Sequence, residues 1–376
     1  MGYQVIFRRK AGAAIRESMS DWDRRENNFD FMRLSLAVLV IYSHGYALGL
    51  GSEVAEPFVR LTGGQVSGGV IAVDAFFVMS GFLIAASAER SRTVGSFLRK
   101  RFARIYPAFL VAALLTALLV VPLSGGRLLY SDWPMKIGNF VWKSLWLTEF
   151  SYVGVFTTNP FPNVINGSTW SIPYEFWCYI GVAALLVVGI LRRRSIVLGL
   201  FVAAWIVSIL FRIEGWILGG KQLGLVFGPP QIWARMLPLY LAGVLFYLYR
   251  DRIPLRGSFA AVSLAAMVGA SFFYSGWTIF FPLTGTYLTF WFAFTPVIRL
   301  RHFGRFGDFS YGTYLYAFPI EQLVARWFGH PVEPALLFVC ATPLTLVFAV
   351  ASWYGVERHF LAPQRRKETI VHAVAA

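Results

Sequence analysis

A few ionisable side chains lie within long apolar stretches of the sequence, where buried charge is costly and usually functional. His44 is the only histidine in such a stretch, because the other four lie in polar segments or the tail. The remaining ionisable residues in these stretches are Asp30, Arg33, Asp74, Glu175, Arg235, Asp308 and Glu321. Asp30 and Asp308 fall at helix starts, where acids are common, so the other six are the candidates for a polar site.

His44 has the chemistry of a general base. A neutral imidazole can take a proton from a hydroxyl group, and a nearby carboxylate can orient the ring and hold the resulting charge. The alternative is a structural role, in which the ring makes a hydrogen bond between two helices.

Three arginines can bind an anion. Arg33 precedes His44 by eleven residues, which places both on one helix face about 16 Å apart; it can reach an anionic group or simply extend to the membrane interface. Arg101 and Arg104 share one helix face and can together grip a phosphate or pyrophosphate. The alternative for this pair is the ordinary basic flank of a membrane span.

The composition predicts an integral membrane protein. The chain of 376 residues is 57% hydrophobic and 14% charged, with a mean hydropathy of +0.59, whereas soluble domains are about 25% charged. Spans need roughly 17–25 apolar residues, and ten stretches qualify: 30–49, 68–88, 104–123, 171–190, 195–212, 231–249, 258–274, 278–297, 308–328 and 335–357. We therefore predict an all-α integral membrane protein with about ten transmembrane helices. The stretch 137–150 is too short to span and is interfacial or re-entrant.

The basic residues predict the orientation of the chain. Most of the 34 lysines and arginines fall in segments that share one side if the N-terminus is inside, as cytoplasmic loops require. Both termini, 1–29 and 359–376, are therefore predicted to be cytoplasmic tails that flank a membrane domain, 30–358. The net charge of +15 then points to anionic membrane lipid rather than nucleic acid. Cys178 and Cys340 suggest neither a disulfide nor a metal site.

This orientation places five polar side chains in the outer halves of five spans. These residues are His44, Asp74, Glu175, Arg235 and Glu321. We expect them to share one level and to form a buried polar site that faces outward. Glu175 also has an alternative role, because Ser171, Pro173 and Glu175 form an ordinary helix start.

Five segments, in order along the chain, resemble the acyltransferase family 3 proteins. They are Asn28–Leu34 leading to Ser43-His44, Phe76–Ile84, Arg101–Pro107, Thr169–Glu175 and Ser310–Pro319. The resemblance implies transfer of an acyl group, usually acetyl, from cytoplasmic acyl-CoA to a hydroxyl of a polysaccharide, lipopolysaccharide or lipid-linked glycan. It also implies a bacterial inner-membrane location and no metal.

The resemblance also assigns roles to the matching residues. His44 corresponds to the catalytic residue, Arg33 to its helix partner and Glu175 to the acceptor-side site. Arg101 and Arg104 correspond to the CoA-binding pair. We further predict that the acceptor contacts Trp170, Ser171, Asp74, Arg235, Tyr314 and Glu321. One difference from the family is Ala317, where many members carry histidine, so a mechanism that needs two histidines is not expected.

Two mechanisms and one rival function remain open. His44 can deprotonate the acceptor hydroxyl while Glu175 orients the imidazole, or it can carry an acyl-imidazole intermediate. The rival function is export or flipping of a glycolipid, which also places polar residues at mid-depth.

Overall fold

The computed structural model describes residues 27–129, 131–214, 227–295, 297, 300 and 303–361. The predicted tails, 1–29 and 359–376, lie largely outside these residues. The described chain is helical apart from one two-stranded ladder. The helices are α1 (Phe29–Leu50), α2 (Pro57–Leu61), α3 (Gly68–Glu89), α4 (Val94–Leu115), α5 (Trp133–Leu145), α6 (Ser171–Val187), α7 (Arg194–Glu214), α8 (Pro230–Leu248), α9 (Gly257–Ala270), α10 (Gly276–Phe280 with Thr286–Phe294), α11 (Ser310–Phe328) and α12 (Pro334–Ser352).

Short π-helical segments interrupt or extend three of these helices. Thr116–Val120 continues α4 into a last turn at Val121–Leu123, Phe281–Gly285 joins the two parts of α10, and Trp353–Glu357 extends α12. The ladder pairs β1 (Arg127–Leu128) antiparallel with β2 (Tyr152–Val153). It joins the end of α4 to the loop that precedes α6.

A helix lies at each of the ten stretches predicted to span the membrane. Among the described helices, six are long and apolar enough to cross a bilayer: α1, α3, α4, α7, α8 and α12, while α6 and α9 are shorter apolar helices. Helix α11 is largely buried, so it packs against protein and can carry polar side chains that lipid would not tolerate. The protein is thus an integral membrane protein, and the count of about ten spans and the orientation of the termini remain predictions.

Local sequence explains where several helices begin and end. Helix α1 ends at Gly51, whose φ of 75° is the left-handed conformation that glycine adopts readily. Helix α4 begins ten residues before the predicted span, because Thr93 and Ser96 form a reciprocal capping box. The charged first turns of α4 therefore belong to the helix and carry Arg101 and Arg104 into the bundle.

The core forms where helices approach each other closely. A Cβ on Gly81 of α3 would lie 2.0 Å from the Tyr240 carbonyl oxygen of α8, and a Cβ on Gly243 would lie 1.9 Å from that of Val78. These two glycines allow the backbones of α3 and α8 to touch. Helix α11 packs against both α1 and α12, which also contact each other. Because α1 and α11 are paired near both their starts and their ends, they run parallel.

Candidate active site

The described residues place His44 of α1 beside Glu321 of α11. The Nδ1 atom of His44 lies 3.5 Å from a carboxylate oxygen of Glu321, whose side chain is fully buried. Within the described residues, neither oxygen of this carboxylate accepts a hydrogen bond. A carboxylate at this distance from Nδ1 can orient the ring and leave Nε2 as the proton acceptor. The structure therefore gives His44 an acidic partner that the sequence had assigned to acceptor binding.

A loop of the chain, residues 156–169, covers the end of α11 that carries this pair. The ring of Phe318 lies 5.1 Å from that of His44 and 6.2 Å from that of Phe161 in the loop. Gln322, the residue after Glu321, donates from its Nε2 to two loop carbonyl oxygens, those of Phe161 and Val164, at 2.8 and 3.0 Å. The loop is thereby fixed above the histidine.

An ion-pair network lies at the other end of the same two helices. One oxygen of Asp308 accepts from Arg33 at 2.9 Å and from Arg104 at 2.8 Å. Arg33 also pairs with Asp30 at 3.3 Å, and Arg104 with Glu357 at 3.3 Å. Helices α1, α4, α11 and α12 are tied together by these contacts. Two of the three arginines predicted to bind an anion, Arg33 and Arg104, are thus held by carboxylates.

Arg101 is placed differently from Arg104, although the two are one turn apart. Its guanidinium donates to Ser87 Oγ at 3.2 Å and lies 5.9 Å from the ring of Tyr179. Within the described residues it makes no ion pair with a carboxylate, and its buried Nε has no acceptor. The two arginines therefore face different neighbours, and Arg101 has donor capacity to spare.

Glu175 does not contact His44, which it was predicted to orient, but has other partners. Its carboxylate accepts hydrogen bonds from Ser80 Oγ at 2.7 Å and from Tyr179 OH at 2.6 Å. Since Tyr179 also contacts Arg101, Glu175 is connected to the arginine side of the bundle. The carboxylate beside His44 is Glu321, not Glu175, because α11 rather than α6 packs against α1.

Positions along α3 give the relative depth of these groups. Ser43, next to His44, packs against Gly69 at the start of α3, whereas the partner of Glu175 is Ser80. These two positions of α3 are eleven residues apart, about 16 Å along the helix. The expectation that Glu175 shares the level of His44 is therefore not met, and Glu175 lies nearer the level of the arginines.

The other predicted acceptor-site residues form two small groups. Asp74 and Arg235 make an ion pair of 2.6 Å between α3 and α8. Tyr314 OH contacts Ser171 Oγ at 2.7 Å and the Ser168 carbonyl oxygen at 2.5 Å, so it links α11 to the start of α6. Trp170 is 38% exposed and is available for contact with a ligand.

Three residues of this arrangement were not recognised in the sequence as site candidates. Phe318 and Gln322 carry no charge and lie within an apolar helix, and Glu357 lies at the end of the last predicted span. Of these three, only Glu357 could have been recognised from the sequence, because it is a carboxylate at the boundary of an apolar stretch. For Asp308 the sequence predicts a helix start, and the structure adds that one of its carboxylate oxygens binds two arginines.

The fold and site together define a membrane-embedded protein with a buried histidine–carboxylate pair, a set of groups suited to activating a hydroxyl. Residues 26–354 match the family model of an acyltransferase domain. The chain belongs to this acyltransferase family and is an acyltransferase.

Several curated proteins are similar to this chain. An O-acetyl transferase of Shigella phage Sf6 is 30% identical over 357 residues, which cover 90% of this chain and 96% of the relative. Nodulation protein 10 of Rhizobium leguminosarum bv. viciae is 27% identical, covering 88% of this chain and 92% of the relative. An acyltransferase of Streptomyces mycarofaciens is 33% identical over 117 residues, covering 30% of this chain and 27% of the relative. No solved structure matches the chain significantly.

Proposed function

We propose that this membrane O-acyltransferase moves an acetyl group from acetyl-CoA to a sugar hydroxyl of a polysaccharide, lipopolysaccharide or lipid-linked glycan. The observation that carries the proposal is the double pairing of α1 with α11. His44 meets Glu321 at one end, and Arg33 meets Asp308 at the other. The Shigella phage relative is an O-acetyl transferase, which supports acetyl transfer to oxygen.

His44 acts as the general base. Glu321 faces Nδ1 and keeps the proton on that nitrogen, so Nε2 takes the proton of the acceptor hydroxyl. The hydroxyl oxygen attacks the thioester carbonyl, the carbon–sulfur bond breaks, and the proton on Nε2 passes to the leaving CoA thiolate. An acyl-imidazole on His44 is the alternative course.

The arginine end receives the donor. Arg101 has unused donor capacity, while Arg33 and Arg104 are aligned by Asp308; together they bind the anionic groups of acyl-CoA. Arg33 and His44 are about 16 Å apart along α1. This distance suits the slender arm of acyl-CoA that carries the thioester. CoA itself need not cross the membrane.

Acceptor contacts are assigned to the part of the bundle between His44 and the arginine network, because Tyr314 precedes Glu321 by seven residues and follows Asp308 by six. Trp170 offers an exposed aromatic ring to a sugar, and Ser171 with Tyr314 offers hydroxyl groups. Asp74 and Arg235 form a further polar pair, five residues along α3 from Gly69, which packs against Ser43 at the His44 end. We place this end on the outer face of a bacterial inner membrane, with both termini cytoplasmic.

The proposal is tested with the purified protein in lipid nanodiscs. Radioactive acetyl-CoA and membrane glycan extract are supplied, and label transferred to glycan is measured. Acetyl transfer that depends on His44 supports the proposal. Absence of label on glycan, together with transport of an unmodified glycolipid by the protein in sealed liposomes without acetyl-CoA, contradicts it and favours the exporter. Rapid-quench labelling without acceptor distinguishes general base catalysis from an acyl-imidazole intermediate, because only the intermediate leaves label on His44.

A further inference from the structure

Every exposed residue of helix α5 is apolar. Six of its large side chains are 50–70% exposed: Trp133, Met135, Ile137, Val141, Trp142 and Leu145. Of its four polar residues, Asn139 bonds Ser151 and Ser144 is buried, while Lys136 and Lys143 are only partly exposed. A surface helix in water has the reverse arrangement. The outward face of α5 therefore requires an apolar cover.

The path of the chain shows how deep α5 reaches. Strand β1 leaves the end of α4 and pairs with β2, so α5 and the segment that returns from it begin and end at the same ladder. At the bottom of this excursion, the Leu145 carbonyl oxygen accepts from Tyr106 OH at 2.8 Å. Tyr106 lies 17 residues before the end of α4 at Leu123, about 25 Å along that helix. The ring of Trp146 stacks 6.0 Å from that of Trp177 in α6.

We propose that α5 is a re-entrant helix that enters the membrane from the His44 end and whose outward face is covered by lipid acyl chains. Its C-terminal end lies beside two membrane helices at depth, so the material outside it is the material outside them. Leu114 and Leu118 of neighbouring α4 are likewise exposed and apolar, which continues the same surface. Near the ladder, Lys136 lies 5.0 Å from the ring of Trp133, a combination suited to the polar headgroups.

The other side of α5 closes off a polar cluster inside the protein. Glu149 accepts from Tyr152 OH at 2.8 Å and from Thr169 Oγ1 at 3.4 Å, and Asn139 of α5 accepts from the Ser151 N–H at 2.8 Å. Thr169 directly precedes Trp170 and Ser171 of the proposed acceptor site. Helix α5 thus lies between this polar cluster and the lipid.

Nitroxide spin labels test directly whether lipid surrounds the outward face of α5. In a variant with Cys178→Ala and Cys340→Ala, single cysteines are introduced at Trp133, Val141 and Leu145 and labelled with a nitroxide. Ser52→Cys, in an exposed turn, is the aqueous control. Power saturation in liposomes compares collisions with oxygen, which concentrates in acyl chains, and with a water-soluble nickel chelate. Size-exclusion chromatography checks that each labelled variant is folded, and no activity is required.

We expect the ratio of oxygen to nickel collisions to rise from position 133 to position 141, about 12 Å further along the helix, and to stay high at position 145 near the bilayer centre. Equal ratios at the three positions would mean that α5 lies flat at the interface and would overturn the proposal. High nickel collisions, as at position 52, would mean a water-covered face, and low collisions with both reagents would mean a protein partner. Either result also contradicts lipid cover.

Discussion

Among single residues, the pairing of His44 with Glu321 carries the chemistry. A histidine in an apolar helix is costly unless it has a partner, and the carboxylate at 3.5 Å is fully buried. Water is excluded from Glu321, whereas the side chain of His44 is 17% exposed and can be reached by a ligand. The pair is therefore suited to accepting a proton only from a ligand that enters the protein.

Replacing His44 removes the proposed base. We expect His44→Ala to insert and fold normally and to lose about 10²- to 10⁴-fold in transfer rate, the usual contribution of general base catalysis. The rate of acetyl transfer in nanodiscs checks this. Activity close to that of the unchanged protein would show that another group takes the proton.

Glu321 and Glu175 are distinguished by parallel amide substitutions. Glu321→Gln removes the negative charge that stabilises the imidazolium formed when His44 takes the proton, so we expect kcat to fall roughly 10- to 100-fold. Glu175→Gln keeps an oxygen for Ser80 and Tyr179 and should mainly change the apparent KM for acetyl-CoA, because Glu175 lies towards Arg101. Steady-state kinetics with varied donor separate the two effects. A larger loss of kcat in Glu175→Gln than in Glu321→Gln would return the orienting role to Glu175.

Between helices, buried ion pairs and close glycine contacts set the geometry. Asp308 bridges Arg33 of α1 and Arg104 of α4 with a single oxygen, and Ser310 Oγ donates to its other oxygen at 2.5 Å. The side chains of all three bridged residues are less than one quarter exposed. Asp308 thus fixes the spacing of two guanidinium groups that would repel each other without it.

A double-mutant cycle measures this bridge. We expect Arg33→Met and Asp308→Asn to be coupled by about 1–3 kcal/mol in thermal or denaturant unfolding, as residues in one ion-pair network are. The control pair is Arg33→Met with Asp74→Asn, since Asp74 pairs with Arg235 and has no ion-pair partner in common with Arg33, so the two effects should be nearly additive. Additive effects for Arg33 and Asp308 would contradict the bridge.

The contact of α3 with α8 predicts a position-specific effect of alanine. Gly81→Ala places a methyl group against the Tyr240 carbonyl, and we expect a loss of stability of about 1–3 kcal/mol, as for overpacking. Gly199→Ala in α7, where nothing lies within 4 Å of the added Cβ, should be neutral or stabilising by up to about 1 kcal/mol. Unfolding in detergent compares the two variants, and equal stabilities would argue against the close approach of α3 and α8.

Across the whole bundle, polar groups are divided between two ends. The histidine pair and its covering loop lie where α1 and α11 end, and the arginine network lies where they begin. A donor and an acceptor can therefore reach the protein from opposite sides. This arrangement serves the proposed reaction only if the bundle has the orientation in the membrane that the basic residues predict.

Cysteine accessibility in intact cells tests that orientation. In the variant with Cys178→Ala and Cys340→Ala, Ser52→Cys lies at the His44 end and Ser258→Cys at the other, and both positions are exposed. We expect a membrane-impermeant maleimide to label position 52 in intact inner-membrane spheroplasts and position 258 only after lysis. The reverse pattern would place His44 towards the cytoplasm and require a different route for both substrates.

The helices and the candidate residues could be predicted because they depend on local sequence. Apolar stretches of spanning length lie at each long helix, and rare ionisable residues within them identify His44, Arg33 and Glu321. The start of α4 was predicted too late, because a capping box of polar residues, not an apolar stretch, begins that helix. The family was also identified from five short segments, since their order along the chain is a property of sequence.

The sequence by itself determined that this is a helical membrane acyltransferase and which side chains are too costly to bury without a purpose. Only the tertiary structure decided which of them meet. Helix packing brings Glu321 rather than Glu175 to His44, joins Arg33 to Arg104 through Asp308, and separates Glu175 from the histidine by about 16 Å of α3. The physical reason is that a depth along one helix follows from residue spacing, whereas a neighbour depends on the rotation and order of helices, which are set by packing across the whole bundle.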